Sequence, residues 1–460
     1  MTSERDERIG PDILAALQEV IIQNAPWMQD VFKQKTAVLG EYVNNVFSKT
    51  TQPTPLLLEA TKAVLQRYYS NVVADEIIAE LALCPVVSSG QHYGFPFDPL
   101  DFQCNIMQAI SCHDRGLKYA PVFACSRVKL DNPTQIGAIR PRGATQSVNL
   151  FRAKAIRSQL AFNAPAIGRD GQDVAFEKEF DVRIKSLPPS FQAMLKDPGF
   201  RLLPSFVHQV SNAVYDIYSV PAATGQMAQV VYISAEEVAT EILLRKLPDG
   251  DPEVCRLFTT DGMGKINQLL ADAGFSDQCC LFWAQHGDKF YPVDLVNGTL
   301  CGKEGAISFP LSVKDVISRL ESRVLVLNKF MTYAMICHEG LLCVGGPLQM
   351  DYLPRMAPAW RAMFPTTRWR AEDSCRMLLG LAPCVDAQTL KAATLETAAR
   401  DPAEWRVIVK TLRSTDMDTA LKLALPELYV TCVPRNRQDP VLAKVTVEDI
   451  LKLSMFAKNS

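Results

Sequence analysis

Two short glycine-bearing loops carry the residue types best suited to chemistry. The first, Ser89-Gly90-Gln91-His92-Tyr93-Gly94, closes an apolar run that begins at Cys84. Gly90 and Gly94 allow a ligand to approach the backbone closely, and Gln91 and His92 can donate to phosphate or carboxylate oxygens. Asp98 and Asp101 follow shortly, and Asp131 lies after the next apolar run. A carboxylate with a raised pKa could take a proton from an attacking amine. The second loop, Gly345-Gly346-Pro347, follows the run LLCV and leads to Gln349, Asp351, Tyr352 and Arg355. An ordinary strand-to-helix turn needs the same glycines and prolines, so residue types alone leave both readings open.

The surrounding elements decide where such loops would point. Residues 11–82 read as helices: Ile13, Leu14, Leu17 and Val20 recur at helical spacing, as do the apolar positions of Leu56 to Tyr69 after the TQPTP break. From Cys84 the character changes. The runs CPVVSS, APVFACS, AQVVYIS, CLFWAQ, RVLVLN and LLCVGG alternate with amphipathic segments such as Phe102 to His113 and Ala235 to Lys246. Continuous apolar runs of this kind predict an α/β fold, a Rossmann-like and mainly parallel sheet covered on both faces. The expected division is a helical segment at 1–82, the α/β core at 83–370 and a second helical segment at 371–460. In an open α/β sheet, ligands bind beyond the carboxyl ends of the strands, where a helix N-terminus also offers N–H groups to an anion. Both loops fall at such ends.

Composition excludes several alternatives. The chain has 48 basic and 50 acidic residues, a net charge of -2, and 48% hydrophobic residues, which is incompatible with global disorder. That balance gives no basic excess for a large polyanion, so a small metabolite or nucleotide is the expected partner rather than nucleic acid. No run reaches about 18 apolar residues, so no membrane span is expected; the charged start MTSERDERIGPD does not read as a secretory signal. Thirteen cysteines with no CxxC pair fit buried thiols in a reducing cytoplasm. The five histidines lack metal-ligand spacing, and no GxSxG elbow or GxGxxG fingerprint is present. Thr259 to Lys265 (TTDGMGK) has glycines but not phosphate-loop spacing. The basic stretch Arg361–Arg376 and the Arg140–Arg142 turn read as solvated surface or as anion contacts. A homo-oligomer stays open.

The run SGQHYGFPFDPLDFQCN at 89–105 resembles the signature TGQQ-x-G-x-x-x-GPLYTxxK of the bacillithiol-biosynthesis cysteine-adding enzymes, sharing Gly90, Gln91, Gly94, Pro99 and Leu100. That signature is in turn related to the nucleotide-binding HIGH loop of class I aminoacyl-tRNA synthetases; His92-Tyr93-Gly94-Phe95 is similar to it, with Phe95 at the second histidine. YAPVFACS at 119–126 is similar to the family's PVFWIAS strand. LCVGGPLQMDYLPRM at 342–356 is similar to its YVGGPGExxYxxQL motif at Val344, Gly345, Gly346, Pro347 and Tyr352. The resemblance spans roughly 83–370.

It implies a ligase-like enzyme that joins an amino acid, such as cysteine, to the amine of a small metabolite, with ATP or another adenine nucleotide activating the carboxylate. In such an enzyme Gly90, Gln91, His92, Gly94 and Asn105 hold nucleotide or activated acyl group. His92, Asp98, Asp101 and Asp131 are the catalytic candidates. Gly345, Gly346, Gln349 and Tyr352 contact substrate, and no metal motif is implied. Three departures stand out: Arg127 to Asp131 replace an acidic SEDHD-like run, Asn105 replaces a lysine, and Gln349 replaces a glutamate. The family's long carboxyl-terminal coiled-coil insertion is not evident. These departures motivate an alternative, a catalytically degenerate relative acting as a ligand-binding or assembly subunit, and a third reading in which the altered site does different chemistry.

Overall fold

The structure, a computed structural model, describes residues 11–34, 37–48, 51–97, 99–131, 137–139, 148–151, 159–167, 182, 184–187, 189–275, 281–287, 289–302, 305–373, 385–386, 391–392, 402–446 and 449–450. The chain has an α/β fold whose central sheet is parallel. Its strands are β1 (Val86–Ser88), β2 (Tyr119–Ala124), β3 (Gln229–Ser234) and β9 (Leu342–Val344), in spatial order β9-β1-β2-β3. All of their residues are buried, which explains the unbroken apolar runs. Alternate side chains leave for opposite faces: Val86, Ala120, Val122, Val230 and Leu342 enter one core, while Val87, Phe123, Val231 and Cys343 enter the other.

Helices cover both faces. The first core is closed by α1 (Pro11–Asn24), α2 (Leu39–Phe47), α5 (Pro99–Asp114), α6 (Phe206–Ala223), α12 (Pro402–Ser414) and α13 (Met417–Cys432). The second lies under α3 (Pro55–Tyr68), α4 (Asn71–Leu83), α7 (Ala235–Lys246), α8 (Thr260–Asp272), α9 (Val313–Glu321), α10 (Lys329–His338) and α11 (Pro347–Met363). Helices from both chain ends therefore pack directly against the central sheet's two cores.

Two of the expected strands sit elsewhere. CLFWAQ and RVLVLN supply β4 (Phe282–His286) and β8 (Leu325–Leu327), which pair antiparallel to each other in a second, five-stranded sheet. Its remaining strands are β5 (Lys289–Val296), β6 (Thr299–Gly302) and β7 (Ile307–Pro310). The turn between β5 and β6 is Asn297-Gly298, both with positive φ (49° and 75°), the conformation that matches hairpin twist and that Asn-Gly adopts readily. Along β5 only Phe290 and Val293 are buried; three positions apart, they leave the strand on opposite faces, Phe290 toward the first core and Val293 toward the second. Strands this sparsely buried need no continuous apolar run, so β5 to β7 leave none in the sequence, unlike β4 and β8.

TTDGMGK is the amino-terminal part of α8, capped by the Thr259 hydroxyl, which accepts from Gly262 N at 3.0 Å. A Cβ on Gly262 would lie 1.9 Å from the Arg256 carbonyl oxygen, so this glycine serves close packing. Arg361 donates to the Trp369 carbonyl at 2.9 Å and holds that buried indole in place. Arg140, Arg142, Cys279, Cys280, residues 374–376 and most of VTVEDILKLSMF lie outside the described residues. Among the described residues no helix is long and apolar enough to cross a membrane, and no group of three or more His, Cys, Asp or Glu side chains could hold a metal ion.

Candidate functional site

Strands β1 and β9 are neighbours, yet their chains leave in opposite directions. β1 leads into α5, whose Phe102, Ile106 and Ile110 enter the first core; β9 leads into α11, whose Leu353, Met356 and Trp360 enter the second. Such a switch of direction opens a crevice at the strands' carboxyl ends. A cavity of about 380 Å³ occupies that place, and Gly90, His92, Asp101, Gly346, Gln349 and Tyr352 line it. Both glycine-bearing loops therefore face one space.

The two loops are packed backbone to backbone. A Cβ on Gly90 would stand 2.9 Å from Gly346 N and 3.3 Å from Gly345 Cα. A Cβ on Gly345 would overlap the Gln349 carboxamide, 1.3 Å from Oε1. Gln349 is buried and rigidly held: its Nε2 donates to the Ser89 carbonyl at 2.8 Å and to the Tyr333 hydroxyl at 2.5 Å. Tyr333 also donates to the Ser89 carbonyl, at 2.7 Å. The glutamine thus joins the second loop to the first. Gly346 caps α11 with Pro347 at its first position, a favoured helix start because proline lacks the N–H that would go unpaired.

The first loop continues alongside the end of β2. Cys125 N donates to the Gln91 carbonyl and Tyr93 N to the Cys125 carbonyl, both at 2.8 Å, which fixes His92 beside Cys125. Tyr93 anchors the loop in the core through Ser211, 2.5 Å away. The Gln91 side chain is buried and shares a hydrogen bond with the Ser88 hydroxyl at 2.5 Å, so it supports the loop and does not line the crevice. Gly94 is likewise buried outside it. Phe95 packs among Phe97, Phe191 and Phe206, an aromatic cluster in which a second histidine would be out of place.

Other candidates separate. Asp101 lines the crevice from the first turn of α5. Asp131 is exposed and lies outside the crevice lining. Asp98 lies outside the described residues. Asn105 is fully buried in α5, where its Nδ2 donates to the Tyr232 hydroxyl at 2.8 Å and to Tyr218 at 3.4 Å. It holds the helix to β3 rather than touching a ligand. Asn105→Leu should lower unfolding free energy by about 1–3 kcal/mol, the cost of stranding buried hydroxyls, and leave ligand affinity of the folded protein unchanged. Urea unfolding and a binding titration check both halves.

The crevice also holds residues that no motif marked. Lys329 is the first residue of α10, whose Asn328 cap accepts from Met331 N at 2.7 Å. Its Nζ lies 3.2 Å from the centroid of the Tyr352 ring, a cation–π contact. The residue is exposed as a whole, but its amine is crowded by the crevice walls. Burial of that amine lowers its pKa to about 8, against the opposing pull of the Cys125 thiol and Asp351. Glu427 and Thr431 of α13 line the same space, and Trp27 Nε1 donates to the Pro347 carbonyl at 2.9 Å, so both terminal helical segments support the site. The apolar stretch RVLVLN ending at Asn328 was the only sequence signal near Lys329: a lysine directly after a core strand.

His92 is held neutral. Burial, and then the Lys329 charge, lower its pKa from 6.5 to about 4. Between those values the unfolded chain binds more protons than the folded one, so stability falls as pH drops from about 6.5 toward 4. The His92 contribution is at most about 3 kcal/mol. His208 and His338, both lowered by burial first, act in the same direction. His92→Gln should flatten this dependence without abolishing it, as read by urea unfolding from pH 4 to pH 7.

A larger groove of about 540 Å³ adjoins the crevice and shares Arg127 and Glu236 with it. Most of its charges are paired: Glu237 with Arg67 and Arg323, and Glu241 with Arg67 and Arg245, while Arg127 lies over the Trp283 ring. Glu236 accepts from Ser126 N at 2.8 Å and Arg127 N at 3.2 Å, which pins the loop after β2. A mutually neutralised network offers a ligand less than the crevice does. No protein-family model matches the chain, and no curated protein is detectably similar to it.

Proposed function

We propose that this protein is a ligase-like enzyme that joins an amino acid to the amine of a small metabolite, with ATP or another adenine nucleotide activating the carboxylate. The observation that carries the reading is the convergence of the Gly90 and Gly346 loops on one crevice at the switch point, beside the Lys329 amine. Backbone approach at Gly90 and Gly346 suits phosphate or acyl-phosphate oxygens. Protonated Lys329 would stabilise negative charge developing at the acyl centre. Neutral His92 would accept the proton released by the attacking amine, a role open to an imidazole that is unprotonated at pH 7. Asp101 would orient that amine, and Tyr352 would contact the second substrate. The resemblance to bacillithiol cysteine-adding enzymes points to cysteine as the amino acid to test first.

Thermal unfolding with ATP, ADP and single amino acids tests this reading. Ligand at about 100 times its Kd should stabilise the fold by about 2.7 kcal/mol, and ATP with amino acid and acceptor should yield an amide. A nucleotide that stabilises without any amide forming would favour the degenerate binding subunit. Asp131, a catalytic candidate, is exposed and outside the crevice, and the crevice carboxylate Glu236 is engaged by Ser126 and Arg127 of the loop after β2, which favours this second reading.

A further inference from the structure

Among the described residues, Lys329 has surroundings that resemble those of a reactive nucleophile. Its backbone is fixed by the Asn328 cap, and its amine rests on the Tyr352 ring at 3.2 Å. Among the described residues it makes no ion pair; Asp351 is engaged by Arg355 at 2.5 Å. The Cys125 thiol in the same crevice is pushed up to about 12 by burial first, so it stays protonated and supplies no counter-charge. An aromatic face stabilises an ammonium far less than a carboxylate does, so the free amine is within reach at neutral pH.

We propose that Lys329 condenses reversibly with the carbonyl of an aldehyde or 2-oxo acid that carries a carboxylate or phosphate. The amine lone pair attacks the carbonyl carbon, and the C=O π pair moves to oxygen, which takes up a proton. The nitrogen loses a proton, giving a carbinolamine. That hydroxyl takes a second proton and leaves as water while the nitrogen lone pair forms C=N. No oxidant or reductant is needed, and hydrolysis is the reverse path. Neutral His92, lining the same cavity, takes and returns the protons. The Gly90 and Gly346 backbones receive the anionic group. This activity goes beyond the ligase reading and stands without it, because the imine requires no nucleotide.

The test uses the wild-type protein at pH 7.5 with limiting pyridoxal 5′-phosphate or glyoxylate, followed by borohydride and peptide mass mapping. About a quarter of an amine with pKa near 8 is unprotonated there, against about 0.1% of an ordinary lysine. After allowance for its lower basicity, Lys329 should be captured at least about tenfold faster than the exposed Lys265 and Lys289. Preferential capture with pyridoxal 5′-phosphate indicates phosphate recognition, and with glyoxylate carboxylate recognition. Lys329→Arg should lose the adduct while the surface lysines keep theirs. Capture of Lys329 no faster than Lys265 with both probes overturns the proposal, and the wild-type map gives that answer whether or not any variant folds. Absence of nucleotide binding would leave the result unaffected.

Discussion

Lys329→Met should raise the Kd for the nucleotide by about 30- to 150-fold, while the protein without ligand unfolds at nearly the same denaturant concentration as wild type. The substitution keeps most of the apolar stem and removes the cation. A charge-assisted hydrogen bond to a phosphate or carboxylate is worth about 2–3 kcal/mol. The folded protein without ligand has little to lose, because among the described residues the ammonium makes no ion pair and rests on the Tyr352 ring. A titration followed by calorimetry, with a parallel urea curve, separates the two effects. Equal affinities for wild type and variant would remove Lys329 from the site.

Gly345→Ala should have the largest effect on the fold around the site. The new methyl would occupy the place of the Gln349 carboxamide, 1.3 Å from its oxygen and 2.1 Å from its Cδ. Gln349 cannot simply turn away, since its Nε2 bonds both the Ser89 carbonyl and the Tyr333 hydroxyl inside a buried network. Displacing it combines overpacking with stranded polar groups, so a loss of about 2–4 kcal/mol is expected. Nucleotide binding should weaken in the same variant because the two loops lose their common strut. Gly90→Ala meets main chain rather than side chain, 2.9 Å from Gly346 N, and must push the loops apart. Its stability loss should be smaller, about 1–3 kcal/mol, with a similar loss of binding. Unfolding curves and nucleotide titrations of both variants check this order.

The parallel core was legible because fully buried strands leave continuous apolar runs, and the two loops because glycines mark the strand ends, although a plain turn needs them too. CPVVSS, APVFACS, AQVVYIS and LLCVGG are the four strands of that sheet. In the second sheet β4 and β8 were legible as apolar runs but β5 to β7 were not, since they are only partly buried and only the Asn297-Gly298 turn marks the β5–β6 hairpin. Gly90 and Gly346 line the crevice but Gly94 and Gly345 do not; His92, Asp101, Gln349 and Tyr352 line it but Gln91, Asn105 and Asp131 do not. Gln91 and Asn105 are polar residues in and just after the first glycine-bearing loop, yet their partners are Ser88, Tyr232 and Tyr218, supplied by the fold. Which way a side chain points in a loop or on a helix depends on neighbours distant in sequence. Lys329 was missed for the same reason: it lies 237 residues beyond His92 in the numbering, and only the adjacency of α10 to the Gly90 loop makes it part of the site. The terminal helices posed the same difficulty, as Trp27 and Glu427 reach the site through packing that no local pattern encodes.

The most direct measurement is a crystal structure of the protein with a non-hydrolysable ATP analogue. The nucleotide phosphates should lie between the Gly90 and Gly346 loops, within hydrogen-bonding distance of Lys329 Nζ. Nucleotide bound instead in the Arg67–Arg323 groove, or no bound nucleotide at millimolar concentration, would contradict the assignment of the crevice as the active site.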